Sequence, residues 1–383
     1  MSARMDPLQQ LEALGQSVWY DNIRRGLLVT RGLERLIQDY SVVGVTSNPT
    51  IFHKAITETG EYDRAIADLR AAGAFTLEVL DTLTTQDIAM AADQLRPTFQ
   101  RTGAVDGWVS IEVSPGLARD TAGTVAEAHR LRSLVHRPNV LVKVPATAEG
   151  AVAFRELTAQ GVSINVTLIF SLERYGQIME AYLAGLEDLA ARAASGRPTP
   201  PLSGVRSVAS FFVSRVDTLV DARLQTRADR AREEGDQARA AHLGGLRGKA
   251  AVANAKLAYE QFLTTFSGPR WEALAAKGAR MQRPLWASTS TKNPAYRDVI
   301  YVEELIGPQT VNTLPEATLK AFRDHGVAEV TLTRDVEGAA AHLAALEEAG
   351  VGMAEVTAQL EEDGVKAFAD SYDALVRALE DKT

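Results

Sequence analysis

The sequence predicts an α/β fold built on a mainly parallel sheet. Short runs rich in β-branched residues alternate many times with longer stretches of helical period, the pattern of successive strand–helix units. Most of these runs are continuously apolar rather than alternating, as strands covered on both faces are. In order, the runs are SVVGVTS (41–47), GWVSIEV (107–113), NVLVKV (139–144), VSINVTLIF (162–170) and VRSVASFFV (205–213). Between them, Val125, Ala128, Leu131 and Val135 share one helical face. Leu172, Tyr175, Ile178, Met179, Tyr182, Leu186 and Leu189 share another. SGRPTPPLSG (195–204) reads as a proline-rich loop before a strand. Residues 216–282 then read as a mainly helical insertion, led by Val216, Leu219, Val220, Arg223 and Leu224. Its charged middle, RADRAREEGDQARA (227–240), is expected to be one solvated helix. Residues 326–383 read as two or three helices, with Val365, Phe368, Tyr372, Leu375 and Leu379 as an apolar stripe, packed across one end of the domain.

Neither GxGxxG after an early strand nor GxxxxGK[ST] occurs, so the marks of nucleotide-binding open sheets are missing. Periodicity alone leaves a doubly wound sheet and a closed barrel both open. The 383 residues allow two ordinary domains or one barrel of about 250 residues with additions. An apolar fraction of 46% and a charged fraction of 23% exclude wholesale disorder. A net charge of −8 argues against a nucleic-acid binder working through a global positive field. The absence of cysteine removes disulfides, thiolate metal sites and cysteine nucleophiles. The start, MSARMDPLQQLEALGQ, lacks the basic head and apolar core of a signal peptide. No stretch approaches the roughly 18 apolar residues of a membrane span. The expectation is a soluble cytoplasmic protein.

In parallel α/β folds the chemistry lies where strands end. Of nine lysines, Lys143 alone sits inside an apolar run, between Val142 and Val144. Burial disfavours an ammonium ion, and a neutral amine can attack a carbonyl carbon to form a Schiff base. The dull alternative is a side chain reaching from a strand edge to water. Glu112 sits in VSIEV, and Asn165 and Thr167 fall on one side of the SINVTLIF strand. Asn48 ends the VVGVTSNP run, which Pro49 stops, and Asp21 follows SVWY. Each has an ordinary explanation alone, a turn for Asn48 or a helix cap for Asp21. Together they are inward polar groups around one buried lysine, which a packed core tolerates only if they satisfy one another or bind something.

Other chemistries fit less well. The six histidines are scattered, without HExxH or HxH; His129 and His136, two turns apart on one helix, are expected to face solvent. No GxSxG is present. Asp21 and Glu112 as a glycosidase pair would leave Lys143 without a role.

GVTSNPTIF, VSIEVSP, VLVKVPAT, INVTLIFS and SFFVSRVD, in this order and spacing, resemble the transaldolase family. WASTSTKNPAYRDVIYVEELIGPQTVNTLP is similar to its longer bacterial branch. The resemblance covers most of residues 15–325. It implies a (β/α)8 TIM barrel as one domain over 1–383, with the helical insertion between strands 6 and 7 and the helical C-terminal extension. It further implies a Schiff-base lysine, no metal or organic cofactor, and sugar phosphates as the molecules bound, in a monomer or homodimer. Carried over, Lys143 is the Schiff-base lysine and Asp21 moves protons where the carbon chain breaks. Glu112 and Thr167 hold a catalytic water. Asn48 and Asn165 hold dihydroxyacetone hydroxyls. Ser210 and Phe212 belong to the sixth strand, with Ser210 near substrate hydroxyls and Arg215 on phosphate. Ser288 fits the seventh-strand serine. The arginine expected two residues on is replaced by Ser290, leaving Lys292 as the candidate for that charge. A simple aldolase on the same barrel, cleaving fructose 6-phosphate, would share Lys143. A non-catalytic barrel acting through the helical insertion would leave the inward polar set unexplained.

Overall fold

A computed structural model describes residues 5–382, so residues 1–4 of the N-terminal segment read above lie outside the described residues. Eight strands form one closed parallel barrel in chain order. They are β1 (Gln16–Tyr20), β2 (Val42–Val45), β3 (Trp108–Glu112), β4 (Val140–Pro145), β5 (Ile164–Ile169), β6 (Ser207–Phe212), β7 (Gln282–Ala287) and β8 (Thr310–Leu314). Pairing of β1 with β8, from Gln16 opposite Thr310 to Tyr20 opposite Leu314, closes the ring. This settles the choice that periodicity left open. No helix among the described residues is long and apolar enough to cross a membrane.

The five continuous runs are β2 to β6, four of them trimmed at both ends and β4 shifted one residue on, to Pro145. β1, β7 and β8 do not read as such runs. QRPLWA carries Gln282, Arg283 and Pro284, and TVNTL has three polar residues among its five. Gln282 and Asn312 are nonetheless fully buried. Each is held at one end by a residue outside its own strand: Gln282 Nε2 donates to Ser207 Oγ and Asn312 Oδ1 accepts from Thr289 Oγ1, while Gln282 Oε1 and Asn312 Nδ2 have no partner among the described residues. Three helices between β2 and β3, Pro49–Thr57, Asp63–Ala71 and the long Thr76–Arg101, have no counterpart in the periodicity reading.

The barrel's amino-terminal end is closed by a buried polar cluster. Asp106 accepts from Ser17 Oγ at 2.8 Å and Trp19 Nε1 at 3.2 Å, and pairs with Arg283 at 3.2 Å. Arg283 also donates to the Thr310 carbonyl at 2.7 Å. The opposite charges thus compensate each other where little water reaches them. Above this floor the fully buried indole of Trp19 lies against Gly44, where an added Cβ would fall 2.5 Å from the ring.

Between β6 and β7 lie four helices, Ser214–Glu233, Gln237–Gly245, Ala250–Thr265 and Gly268–Ala275. The expected single helix over 227–240 is broken. The first helix ends at Glu233, Gly235 takes the left-handed conformation at φ +83°, and Asp236 caps the next helix by accepting from Arg239 N. Glycine makes that reversal at no steric cost. His129 also departs from expectation: it is half-buried, with Nε2 2.6 Å from Gln160 Oε1. His136 is exposed, just past the helix end, as its left-handed cap.

The C-terminal segment forms two helices, Val336–Glu348 and Met353–Asp381. The second lies over the carboxyl end of the strands. Ser371 Oγ meets Thr50 Oγ1 at 2.8 Å, Lys382 donates to the Ile56 carbonyl, and Arg174 pairs with Glu361 at 3.4 Å.

Gly44→Ala should destabilise the barrel by about 1–3 kcal/mol, since Trp19 has no space to yield. Chemical denaturation followed by tryptophan fluorescence measures this. An unchanged midpoint would show that the indole can move.

Candidate active site

The carboxyl end of the barrel opens into a cavity of about 310 Å³. It brings together Asp21, Asn48, Lys143, Thr167, Ser210, Phe212, Arg215, Ser288 and Lys292. Lys143 lies on β4 with its side chain turned into the barrel and is 5% exposed. Its amine donates to Glu112 Oε2 at 3.2 Å and to the Ser47 carbonyl at 3.3 Å. Strand register produces this pairing, because Glu112 on β3 and Asn165 on β5 stand directly opposite Lys143.

Glu112 and Asn165 do not line the main cavity. Glu112 reaches Lys143 from the side of a smaller cavity of about 60 Å³, lined also by Ser47, Asn48 and Tyr372. Asn165 is fully buried. Its Nδ2 donates to Ser110 Oγ at 3.0 Å and its Oδ1 accepts from Ser210 Oγ at 2.7 Å. The network fixes the Ser210 hydroxyl from behind. Thr167 Oγ1, fully buried, makes no hydrogen bond among the described residues. The next residue, Leu168, has φ +62°, and the β5–β6 register shifts between Val166 and Ile169. Ser288 has φ +57°, with its Oγ 3.0 Å from Ser214 Oγ. Such strained backbone at non-glycine residues concentrates at functional sites.

Asp21 follows β1 and caps no helix. It accepts from Thr46 Oγ1 at 2.7 Å, and Thr313 Oγ1 lies 2.7 Å from the same hydroxyl. Asn48 does more than end a strand. It caps the Pro49–Thr57 helix, its Oδ1 accepting from Ile51 N at 2.9 Å, so Pro49 begins a helix at the position where proline is favoured. With Oδ1 engaged, Nδ2 is the group left for a ligand.

Burial pushes the Asp21 and Glu112 carboxyls above their ordinary range. For Asp21 the Thr46 hydrogen bond, Lys143, Lys292 and Arg215 pull back down. For Glu112 Lys143 pulls down and Asp21 pushes up. Burial lowers the Arg215 guanidinium while Asp21 raises it. The Lys292 ammonium is lowered by burial and by repulsion from Arg215.

Arg215 does not pair with Asp217 or Glu180. Asp217 is taken by Tyr301 and Ala251 N, and Glu180 by Arg270. The Arg215 guanidinium instead lies 5.3 Å from the Phe212 ring centre. Lys292 donates to Ser290 Oγ at 2.6 Å. Lys54, absent from the sequence reading, joins Arg215 and Lys292 at the cavity. Among the described residues none of the three pairs with a carboxylate. Lys54 lies one turn after Thr50 on the helix that Asn48 caps, and nothing local in the sequence sets it apart from a surface lysine. Thr46, Thr313 and Phe368 were also missed. Phe368 lies in an apolar stripe that looks like any core-facing helix.

Fold and site together define a (β/α)8 barrel with an amine–carboxylate centre at its carboxyl end and unpaired cations at the rim. The family model described as Transaldolase/Fructose-6-phosphate aldolase matches residues 18–379. The chain is 50% identical to a protein named Transaldolase from Thermobifida fusca (strain YX), over 97% of this chain and 96% of that one. It is also 50% identical to the Transaldolase of Parafrankia sp. (strain EAN1pec), over 98% of each. With Transaldolase 1 of Streptomyces avermitilis it shares 47% identity over 99% of this chain and 96% of the other. The chain belongs to the transaldolase/fructose-6-phosphate aldolase family.

Infrared difference titration, with Asp21→Asn and Glu112→Gln for assignment, should place both protonation steps above the roughly 4 of free carboxyls. Lys292→Ala should move the Asp21 step further up, because Lys292 favours its ionised form. A step at or below the free value would show that burial is not the dominant influence.

Proposed function

We infer that the chain is a transaldolase that carries a three-carbon dihydroxyacetone unit on Lys143. The unit comes from sedoheptulose 7-phosphate or fructose 6-phosphate and passes to glyceraldehyde 3-phosphate or erythrose 4-phosphate, in the non-oxidative pentose phosphate pathway. The observation that carries the residue assignment is the buried Lys143 amine, between Glu112 and the Ser47 carbonyl, beside a cavity rimmed by unpaired cations.

Lys143 Nζ adds to the ketone carbon, and the carbinolamine loses water to give an iminium ion. Glu112 supplies and removes protons in this step, with the free Thr167 hydroxyl holding the water. Asp21, raised by burial and so a better base than an exposed aspartate, takes the proton from the hydroxyl beside the bond that breaks. As the carbon–carbon bond cleaves, its electrons move into the iminium and leave an enamine on Lys143, while the first aldehyde departs. The enamine then attacks the acceptor aldehyde and the steps reverse. The Asn48 Nδ2 and the Ser210 hydroxyl hold the hydroxyls of the three-carbon unit, and Asn165, expected to touch them, acts instead through Ser210, whose hydroxyl it orients. Because the iminium is the electron sink, this chemistry needs no metal or organic cofactor.

Arg215, Ser288, Lys292 and Lys54 take the phosphate, Arg215 by its fork and the lysines as point charges. Phe212 supports the Arg215 guanidinium from below. On this reading residues 1–383 are one catalytic barrel domain, with 216–282 and 326–383 as additions to it, working in the cytoplasm on small sugar phosphates as monomer or homodimer. A second activity of the matched family, simple cleavage of fructose 6-phosphate, would use the same lysine. It differs in needing no acceptor aldehyde.

Borohydride with fructose 6-phosphate should fix one adduct on the peptide holding VLVKVPAT. Lys143→Arg should give no adduct and almost no transfer. Trapping on Lys249 or Lys256 would defeat the assignment. Asp21→Ala should slow cleavage yet still allow trapping of the unbroken ketose, with a loss of about 10²–10⁴-fold.

Arg215→Ala should raise KM for phosphorylated sugars at least about tenfold, the value of one charge-assisted hydrogen bond. It should change KM for unphosphorylated fructose far less. Lys54→Ala and Lys292→Ala should act in the same sense, more weakly and less at high salt. Equal effects on both substrate classes would assign these residues a structural role instead.

A further inference from the structure

The helix Met353–Asp381 is not one of the barrel's own strand-connecting helices, yet it forms part of the cavity wall. Phe368 is 5% exposed, and its ring centre lies 5.4 Å from Lys143 Nζ. The helix is fixed on both sides of this contact. One turn earlier, Gly364 allows it to approach β5 so closely that an added Cβ would fall 3.0 Å from Leu168 Cδ2 and 3.5 Å from Phe170 Cε2. Leu168 directly follows Thr167. One turn later, Ser371 bonds Thr50 on the helix that Asn48 caps. Phe368 is therefore held against the amine by the same elements that carry the polar groups around it.

The side-chain type fits what Lys143 would carry. An iminium is a cation, and an aromatic face attracts cations without supplying a nucleophile or a proton acceptor. The competing fate of the bound enamine is loss to water. It would take back at carbon the proton held by Asp21, the resulting iminium would add water, and the C–N bond would break to free dihydroxyacetone and the amine. That route needs water at the carbon attached to Nζ.

We propose that Phe368 roofs the Lys143-bound intermediate, excluding water and holding the iminium against its ring, and so sets the ratio of transfer to hydrolytic release. The proposal rests on the Schiff-base reading of Lys143.

The test is Phe368→Ala in the full chain, with fructose 6-phosphate as donor. Dihydroxyacetone released without acceptor is measured against the unit transferred to glyceraldehyde 3-phosphate. Borohydride trapping is run in parallel on wild type and variant. The ratio of release to transfer should rise about two- to thirty-fold, the range a cation–aromatic contact spans, with the adduct still on Lys143. Should the alanine variant fail to fold, Phe368→Leu keeps apolar bulk but removes the ring face, and the same ratio should rise by a smaller factor. An unchanged ratio in the folded variant, with trapping intact, overturns the roof and leaves the Schiff-base reading standing. No adduct on Lys143 in the wild type overturns both.

Discussion

An amine placed inside an apolar strand has lost its water and must be compensated by whatever surrounds it, and the carboxyl end of this barrel is organised by that constraint. Lys143 is compensated on one side by the register of β3, which puts Glu112 opposite it, and from the loop after β2 by the Ser47 carbonyl. The carboxylate in turn is neutralised in part by its own burial. Neither group could stand alone there without a large desolvation cost. A buried amine–carboxylate pair is a structural weakness in a core and an asset at a reaction centre. The cluster of Asp106, Arg283 and Ser17 at the other end of the barrel shows the contrast, with the carboxylate and the guanidinium paired directly to each other and to neighbouring hydroxyls.

The electrostatics of the rim run against those of the molecule. The chain carries a net −8, but Arg215, Lys54 and Lys292 gather at one opening without acidic partners. Burial first and repulsion from Arg215 second lower the Lys292 ammonium, and both are costs that an anion at the rim would offset. The surrounding negative surface does not cancel this local field, because screening confines it to about 8–10 Å.

Much of this was legible in the sequence, for definite reasons. β2 to β6 are buried on both faces, so they appear as unbroken apolar runs. A lysine or glutamate inside such a run stands out at once. β1, β7 and β8 carry glutamine, asparagine and arginine whose partners lie on other elements, and no local pattern reports that. The break at Gly235 shows the opposite failure, where a charged stretch read as one helix contains a residue that reverses the chain. Lys54 and Phe368 were missed because a surface lysine and a core-facing phenylalanine are each unremarkable along the chain. Only the closing of the ring and the lie of the last helix bring them to the cavity. Asn165 was found, but its depth below Ser210 depends on how the strands are staggered.

The hydrogen bond between Thr50 and Ser371 joins residues 321 positions apart. A polypeptide is made from its amino end and tends to fold in that order. The strand bearing Lys143 therefore exists well before the helix that covers it, and contacts of such long range form late. During that interval the reactive amine stands at an open barrel mouth. If Phe368 roofs the bound intermediate, the wall that keeps water from it is completed only when the final helix docks, so protection of the intermediate is the last property the folding chain acquires.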